Sequence, residues 1–262
     1  MKQIEGMEQD AMTQERKLRV RYGQDVPGMV RDDLIIGGIL AAQGVFLRLW
    51  ASKRQSPTTP LVAFLGNVTI LIGGLSVLES LAIVWSSRVA KLWERDRLLN
   101  GLRLRGSERV LDVGCGHGLM LIGAAKRLPR GRAVGIDLWS QVDQGNNSRE
   151  ATLANAKIEG VADRVEVHDG DMRELPFSDA SFDVVVASLS VHNIESPQGR
   201  YQATQEMARV LKPGGRVALM EIFHVKQIAE YLRQSGMQDV RVSGPRFLHY
   251  PPARTVAGRK KR

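Results

Sequence analysis

Residues 109–118 read Arg-Val-Leu-Asp-Val-Gly-Cys-Gly-His-Gly, and this stretch decides the fold. A short apolar β-type run, Arg109–Val113, meets glycines at 114, 116 and 118, and the apolar stretch Leu119–Leu128 follows with helical character. A strand that turns into a helix through glycines makes a cradle. Without side chains a ligand can approach the backbone, and the free N–H groups that open the helix point at it. The spacing is not the Gly-x-Gly-x-x-Gly of a dinucleotide-binding turn. Its third glycine comes one residue early, and Asp112 stands just ahead of the first. An acid there repels a pyrophosphate but suits a ligand carrying a cationic amine.

Outward from this turn, short β runs alternate with helical patterns. The expected strands are Arg109–Val113, Arg132–Ile136, Val165–His168, Phe182–Ala187, Arg216–Glu221, Val240–Ser243 and Thr255–Arg259, with helices near Leu119–Leu128, Ser148–Glu159, Gln198–Leu211 and Val225–Gln234. Buried strands interleaved with helices predict an α/β fold, a Rossmann-like doubly wound sheet. It should have seven strands, mostly parallel, with an antiparallel last strand closing a hairpin. In such a sheet a ligand lies beyond the C-terminal ends of the strands. Polar residues stand at each of those ends: Asp137 after the second strand, Asp169 and Asp171 after the third, Ser188 to Asn193 after the fourth, and Glu221 ending the fifth.

Asp112-Val-Gly-Cys-Gly-His-Gly118 resembles the acid-x-Gly-x-Gly-x-Gly motif of class I S-adenosylmethionine (SAM) dependent methyltransferases. Three further segments resemble the family in the expected order: Gly135-Ile-Asp-Leu-Trp139, His168-Asp-Gly-Asp-Met172 and Leu211-Lys-Pro-Gly-Gly-Arg216. The likeness extends from about Arg88 to the end of the chain, and is greatest to the small-molecule branch that includes quinone-biosynthesis enzymes. It implies SAM as cofactor, held by Asp112, Gly114, Gly116, Gly118, Asp137, Leu138, Asp171, Met172 and Ser188. Within that set Asp137 takes the ribose hydroxyls, Asp171 the adenine amino group, and Met172 the apolar side of the ring. Trp139 either lies against the adenine or is a core or membrane-facing aromatic. Asp169 reads as a turn residue. His117 opens the helix near the methionine carboxylate.

Methyl transfer from a sulfonium is an in-line displacement, so alignment and exclusion of water suffice unless the acceptor must lose a proton. For that task His192, in the loop after the fourth strand, is the first candidate base and Glu221 the second. His192 can equally wall the pocket. Cys115, with no activating neighbour in sequence, reads as a spacer within the turn. As the single cysteine it excludes an internal disulfide and a multi-cysteine metal site, and no metal is expected.

Ahead of this domain, expected over 88–262, lie a polar segment, 1–33, and an apolar hairpin, 34–87. Leu34–Trp50 is uncharged until Arg48, and Leu61–Ser87 has Glu79 as its only charge. The second stretch is long enough for a hydrocarbon layer of roughly 30 Å. Trp50 and Trp85 fall near segment ends, where indoles favour the interface. Gly37, Ala41 and Gly44 in one stretch and Gly66, Gly73 and Gly74 in the other permit close helix contact. The pair reads as a transmembrane hairpin in the cytoplasmic (inner) membrane, with the catalytic domain in the cytoplasm. The alternative packs both helices on the domain or against a second copy. Arg88–Leu102 mixes charged and apolar residues as a surface helix would.

The net charge of +9 invites a nucleic-acid reading, but the basic residues flank apolar segments or end the chain. Anionic lipid explains that distribution more simply than nucleic acid does. With the apolar hairpin directly ahead of the domain, the expected acceptor is a small or lipid-soluble molecule, and oligomeric state has no sequence signature. Two other functional classes remain: a SAM-binding regulatory or scaffold module without turnover, and an NAD-dependent oxidoreductase, which the glycine spacing disfavours.

Overall fold

The computed structural model describes residues 22–23, 25–140 and 145–262. Residues 1–21 and 24 of the polar segment expected over 1–33 lie outside the described residues. The first helix, α1, spans Pro27–Ser52 and so starts earlier than the apolar run itself. The second, α2, spans Thr59–Trp85. The two pack along their glycines. A Cβ placed on Gly73 would meet the Gly37 carbonyl at 2.4 Å, and one on Gly44 the Gly66 carbonyl at 2.5 Å. Their other faces carry exposed Ile, Leu, Val and Phe side chains.

Helix α2 does not stop at its apolar end. It passes through one π-helical segment, Ser86–Ala90, into α3, Lys91–Gly101. The surface helix expected over Arg88–Leu102 is thus corrected. Leu98, Leu99 and Leu102 join the core, and Lys91, Glu94 and Arg95 are buried as well. The mixed pattern misleads because these long side chains bury their stems while their heads find polar partners. Lys91 donates to the carbonyls of Tyr22 and Gly23, and Arg95 pairs with Asp96.

The sheet contains β1 (Arg109–Val113), β2 (Arg132–Asp137), β3 (Val165–Asp169), β4 (Phe182–Ser188), β5 (Leu211–Glu221), β6 (Met237–Val242) and β7 (Arg254–Lys260). Its order is β3-β2-β1-β4-β5-β7-β6, and β7 runs antiparallel to both neighbours. This is the expected Rossmann-like sheet with an antiparallel last strand. Helices α4 (Leu119–Ala125), α5 (Arg149–Ile158), α6 (Pro197–Val210) and α7 (Val225–Gln234) cover its two faces. The strand order reverses between β1 and β4, which opens a crevice at the C-terminal edge. Lys212–Gly215, which lie ahead of the strand expected from Arg216, belong to β5, with Leu211 paired to Phe182 and a register irregularity absorbing the extra residues.

Candidate functional site

The glycine turn is held from three sides. From β2, the Ile136 carbonyl accepts the N–H groups of Gly114 and Cys115 at 2.8 and 3.1 Å. From α5, Thr152 donates its hydroxyl to the Gly116 carbonyl at 2.5 Å, and Asn155 donates to the His117 carbonyl at 3.0 Å. From the β4 loop, Ser190 bonds the Val113 carbonyl and crowds Gly114, where an added Cβ would lie 2.4 Å from the serine Cβ. Gly114 also has φ +72°, so both space and conformation demand glycine there. Thr152 and Asn155 escaped the sequence reading, and Ser190 entered it only as part of the Ser188 to Asn193 loop. The available signal was a buried polar pair three residues apart on an otherwise amphipathic helix.

The two acids of this region differ in character. Asp112 is 1% exposed, and one of its oxygens accepts the Leu121 N–H at 2.7 Å while the other has no partner. Burial pushes its carboxyl up to about 8, the Leu121 N–H opposes that, and the neighbouring charge of Asp137 adds to it. Asp137 accepts from the backbone of Gly116 (2.8 Å) and Trp139 (2.7 Å) and from the Asn147 amide (3.2 Å). It therefore ties β2 to the glycine turn while still lining the cavity beyond. His117 Nε2 donates to the Gly145 carbonyl at 3.2 Å, its Nδ1 is unpartnered, and burial lowers its proton affinity. Burial first, then the charges of Asp112 and Asp137, push the Cys115 thiol well up, which removes it as a nucleophile. Its sulfur instead fills the space over Gly135, 2.8 Å from where a Cβ would stand.

A cavity of about 760 Å3 opens above these strand ends. Gly114, Gly116, Asp137, Leu138, Asp171, Met172, Ser188 and His192 all line it. Gly118 and Asp112 do not. Gly118 caps α4 at φ +85°, and Asp112 faces a small side cavity of about 30 Å3 shared with Gly114, Gly116, Lys91 and Asp25. Trp139 takes the core alternative: it packs against the core, its indole donates to Asp169 at 2.7 Å, and it is absent from the lining. Asp169 is accordingly the last residue of β3 and an acceptor, not a turn residue. Asp171 lines the cavity but is engaged by Arg173 through both the backbone and the guanidinium, which holds its carboxyl below the usual range.

At the far side of the crevice His192 and Glu221 form a pair. The buried Glu221 carboxylate lies 2.5 Å from His192 Nδ1 and also accepts the N–H of Val191 at 2.9 Å. Phe223 packs edge-on against the imidazole at 5.8 Å. The sequence offered these two residues as rival bases, whereas the fold makes one the orienting partner of the other. The same cavity is also lined from the helical hairpin, by Met29, Glu79, Ile83 and Ser87, and from the Arg246–Pro252 loop, by His249, Tyr250 and Pro251.

The fit to a SAM-like ligand rests on this arrangement. It combines a glycine cradle that any Cβ would fill, a buried acid with an unpartnered oxygen beside the turn, and a second acid at the end of β2. Asn147 Oδ1 and His117 Nδ1, both buried without partners, lie in the same region.

The sequence profile of a methyltransferase domain matches residues 111–219. The demethylmenaquinone methyltransferase of Staphylococcus aureus is 36% identical over 132 residues, which is 50% of this chain and 49% of that protein. The chain thus spans about half the length of the curated relatives it matches. Among solved structures, a SAM-dependent methyltransferase from Aquifex aeolicus superposes with a TM-score of 0.53 at 19% identity, covering 64% of this chain and 90% of that one. Geranyl diphosphate methyltransferase, solved with GPP and sinefungin, gives 0.52 at 13%, covering 64% and 77%. Strand order, glycine turn and matched segment agree: the chain carries a class I S-adenosylmethionine-dependent methyltransferase domain.

Proposed function

We infer that the protein transfers a methyl group from SAM to a small, lipid-soluble acceptor at the membrane, with α1 and α2 inserted and the domain on the cytoplasmic side. The observation that carries this reading is the shared cavity. Its floor is the cofactor crevice, and its wall is the base of two helices long and apolar enough to cross a membrane. The S. aureus relative, whose name specifies demethylmenaquinone, suggests a hydroquinone of that kind as acceptor.

When bound, SAM supplies an activated methyl on a sulfonium, which needs no further activation by the protein. Asp137 takes the ribose hydroxyls, and Leu138 and Met172 flank the adenine. Asp171 takes the adenine amino group, sharing its carboxylate with Arg173. Ser188 and the glycines 114, 116 and 118 shape the methionine end, where the unpartnered oxygen of Asp112 accepts from the ammonium group. His192 holds the acceptor's hydroxyl proton. Glu221 fixes the ring with its hydrogen on Nδ1, so that Nε2 is the basic nitrogen, and stabilises the imidazolium that forms. The apolar walls exclude water from the transfer.

Calorimetric titration of SAM into the full chain in detergent, with Asp137→Ala alongside, tests the cofactor half. Micromolar affinity that drops at least ten-fold in the variant is expected. Turnover of a hydroquinone carried in vesicles tests the other half. SAM binding without any turnover would move the protein to the regulatory-module class, and absence of SAM binding would sink both.

A further inference from the structure

His249 lies in the Arg246–Pro252 loop, outside the segment matched by the methyltransferase domain profile. Two contacts fasten this loop to the long helix: the Tyr250 N–H donates to Ser86 Oγ at 3.1 Å, and the Tyr250 hydroxyl donates to Glu79 at 2.9 Å. Held this way, the imidazole is 3% exposed and lines the cavity that Met172 and His192 also line.

The hydrogen bonding of the ring sets its chemistry. Nδ1 lies 2.8 Å from the Pro251 carbonyl. A carbonyl can only accept, so Nδ1 carries the hydrogen and Nε2 of the neutral ring carries a lone pair. That nitrogen is buried and has no partner in the protein. A buried acceptor left without a donor costs stability, and such groups are kept where a ligand completes them.

We propose that His249 Nε2 accepts a hydrogen bond from a hydroxyl of the methyl acceptor and so selects an aromatic diol over its ethers. This rests on the methyl-transfer reading above. His192 presents a second acceptor nitrogen to the same cavity, so a molecule with two hydroxyl donors satisfies both rings. Its apolar body then lies against Met29, Ile83 and Phe223, which line that cavity too. His249 moves no proton in this role. It fixes which end of the acceptor faces the transferred methyl, and it does so from a loop anchored to the hairpin.

The test uses the full chain in detergent, loaded with S-adenosylhomocysteine, under anaerobic reducing conditions. The probes are 1,4-naphthohydroquinone and its dimethyl ether, titrated calorimetrically. The wild type should bind the hydroquinone at least ten-fold more tightly than the ether. His249→Asn keeps a donor for the Pro251 carbonyl but removes the unpartnered acceptor nitrogen. It should bring that ratio to within two-fold of unity, with S-adenosylhomocysteine affinity unchanged. His249→Gln, whose amide oxygen reaches the Nε2 position, should restore part of the preference. A wild type with no preference, or an Asn variant that keeps it, overturns the assignment. If the Asn variant loses S-adenosylhomocysteine binding, His249→Phe, which preserves ring volume, decides by the same ratio. A wild type that fails to bind S-adenosylhomocysteine rejects the methyl-transfer reading itself, which separates the two failures.

Discussion

Asp112 illustrates how much one buried oxygen can govern. Its carboxyl is lifted to about 8 by burial, above the ordinary value of 3.8. The folded-state value exceeds the unfolded one, so the associated stability is complete below about pH 4 and is lost progressively as pH rises toward 8. Asp112→Asn keeps an oxygen for the Leu121 N–H and removes the charge. In the absence of cofactor its melting temperature should therefore gain on the wild type between pH 5 and 8, by the equivalent of a few kcal/mol, roughly. His117, shifted downward, works in the opposite direction but is common to both proteins. In the same variant SAM affinity at pH 8 should fall more than ten-fold, because a cationic ammonium loses its counter-charge. Thermal melts at several pH values, with and without SAM, check both, and melting curves that stay parallel across pH would refute the first. The acid ahead of the first glycine could be read from the sequence. That Asp171 would be shared with Arg173, that Trp139 would turn to Asp169, and that His249 would matter could not. Each depends on a side chain from another segment, and neither spacing nor residue type encodes it.

Among elements, those whose local pattern and tertiary role agree were the legible ones. Strand β1 starts and ends at the expected residues, and α7, with apolar residues along one face, also matches in full. Strand β5 starts five residues early because Leu211 pairs with Phe182 across the register irregularity, a long-range event invisible in a Lys-Pro-Gly-Gly string. The α1–α2 pair was legible through its small residues, and it yields a sharp prediction. Gly73→Val must push backbone from backbone, since even a Cβ would stand 2.4 Å from the Gly37 carbonyl and 2.6 Å from the Ala41 nitrogen. The expected loss is about 1–3 kcal/mol, the usual cost of overpacking. Gly74, one residue along, has nothing within 4 Å of an added Cβ, so Gly74→Ala should carry no packing cost and gain up to about 1 kcal/mol of helix propensity. Denaturant titration of the full chain in micelles distinguishes them, and equal effects at both sites would contradict the packing described.

At the scale of the molecule, the Glu79–Tyr250 contact marks where the domain meets the hairpin. Beyond it Leu61–Leu78 extends free of the domain for about 27 Å, close to the roughly 30 Å of a hydrocarbon core. Below it Trp85 and Trp93 pack edge to face at 6.0 Å, both exposed. Phe247, on the loop that carries His249, is 80% exposed. In a Trp50→Phe, Trp139→Phe background, tryptophan emission in vesicles should be quenched by lipids labelled near the headgroup and spared by those labelled at the chain ends. The reverse order, or no quenching, would contradict the proposed insertion.

The unbroken run from Thr59 to Gly101 has a mechanical consequence. A chain joined to its anchor by a loose linker can sample any height and heading. Here one rod of 43 residues passes from hairpin to sheet, and its single π-turn places Ser86 and Ser87 against the Tyr250 loop and Asp25. The rod acts as a ruler and a compass at once. With the hairpin inserted as proposed, it would set how far the crevice stands from the lipid and which way it faces, and each residue added to or removed from it would shift the site by about 1.5 Å and turn it by about 100°.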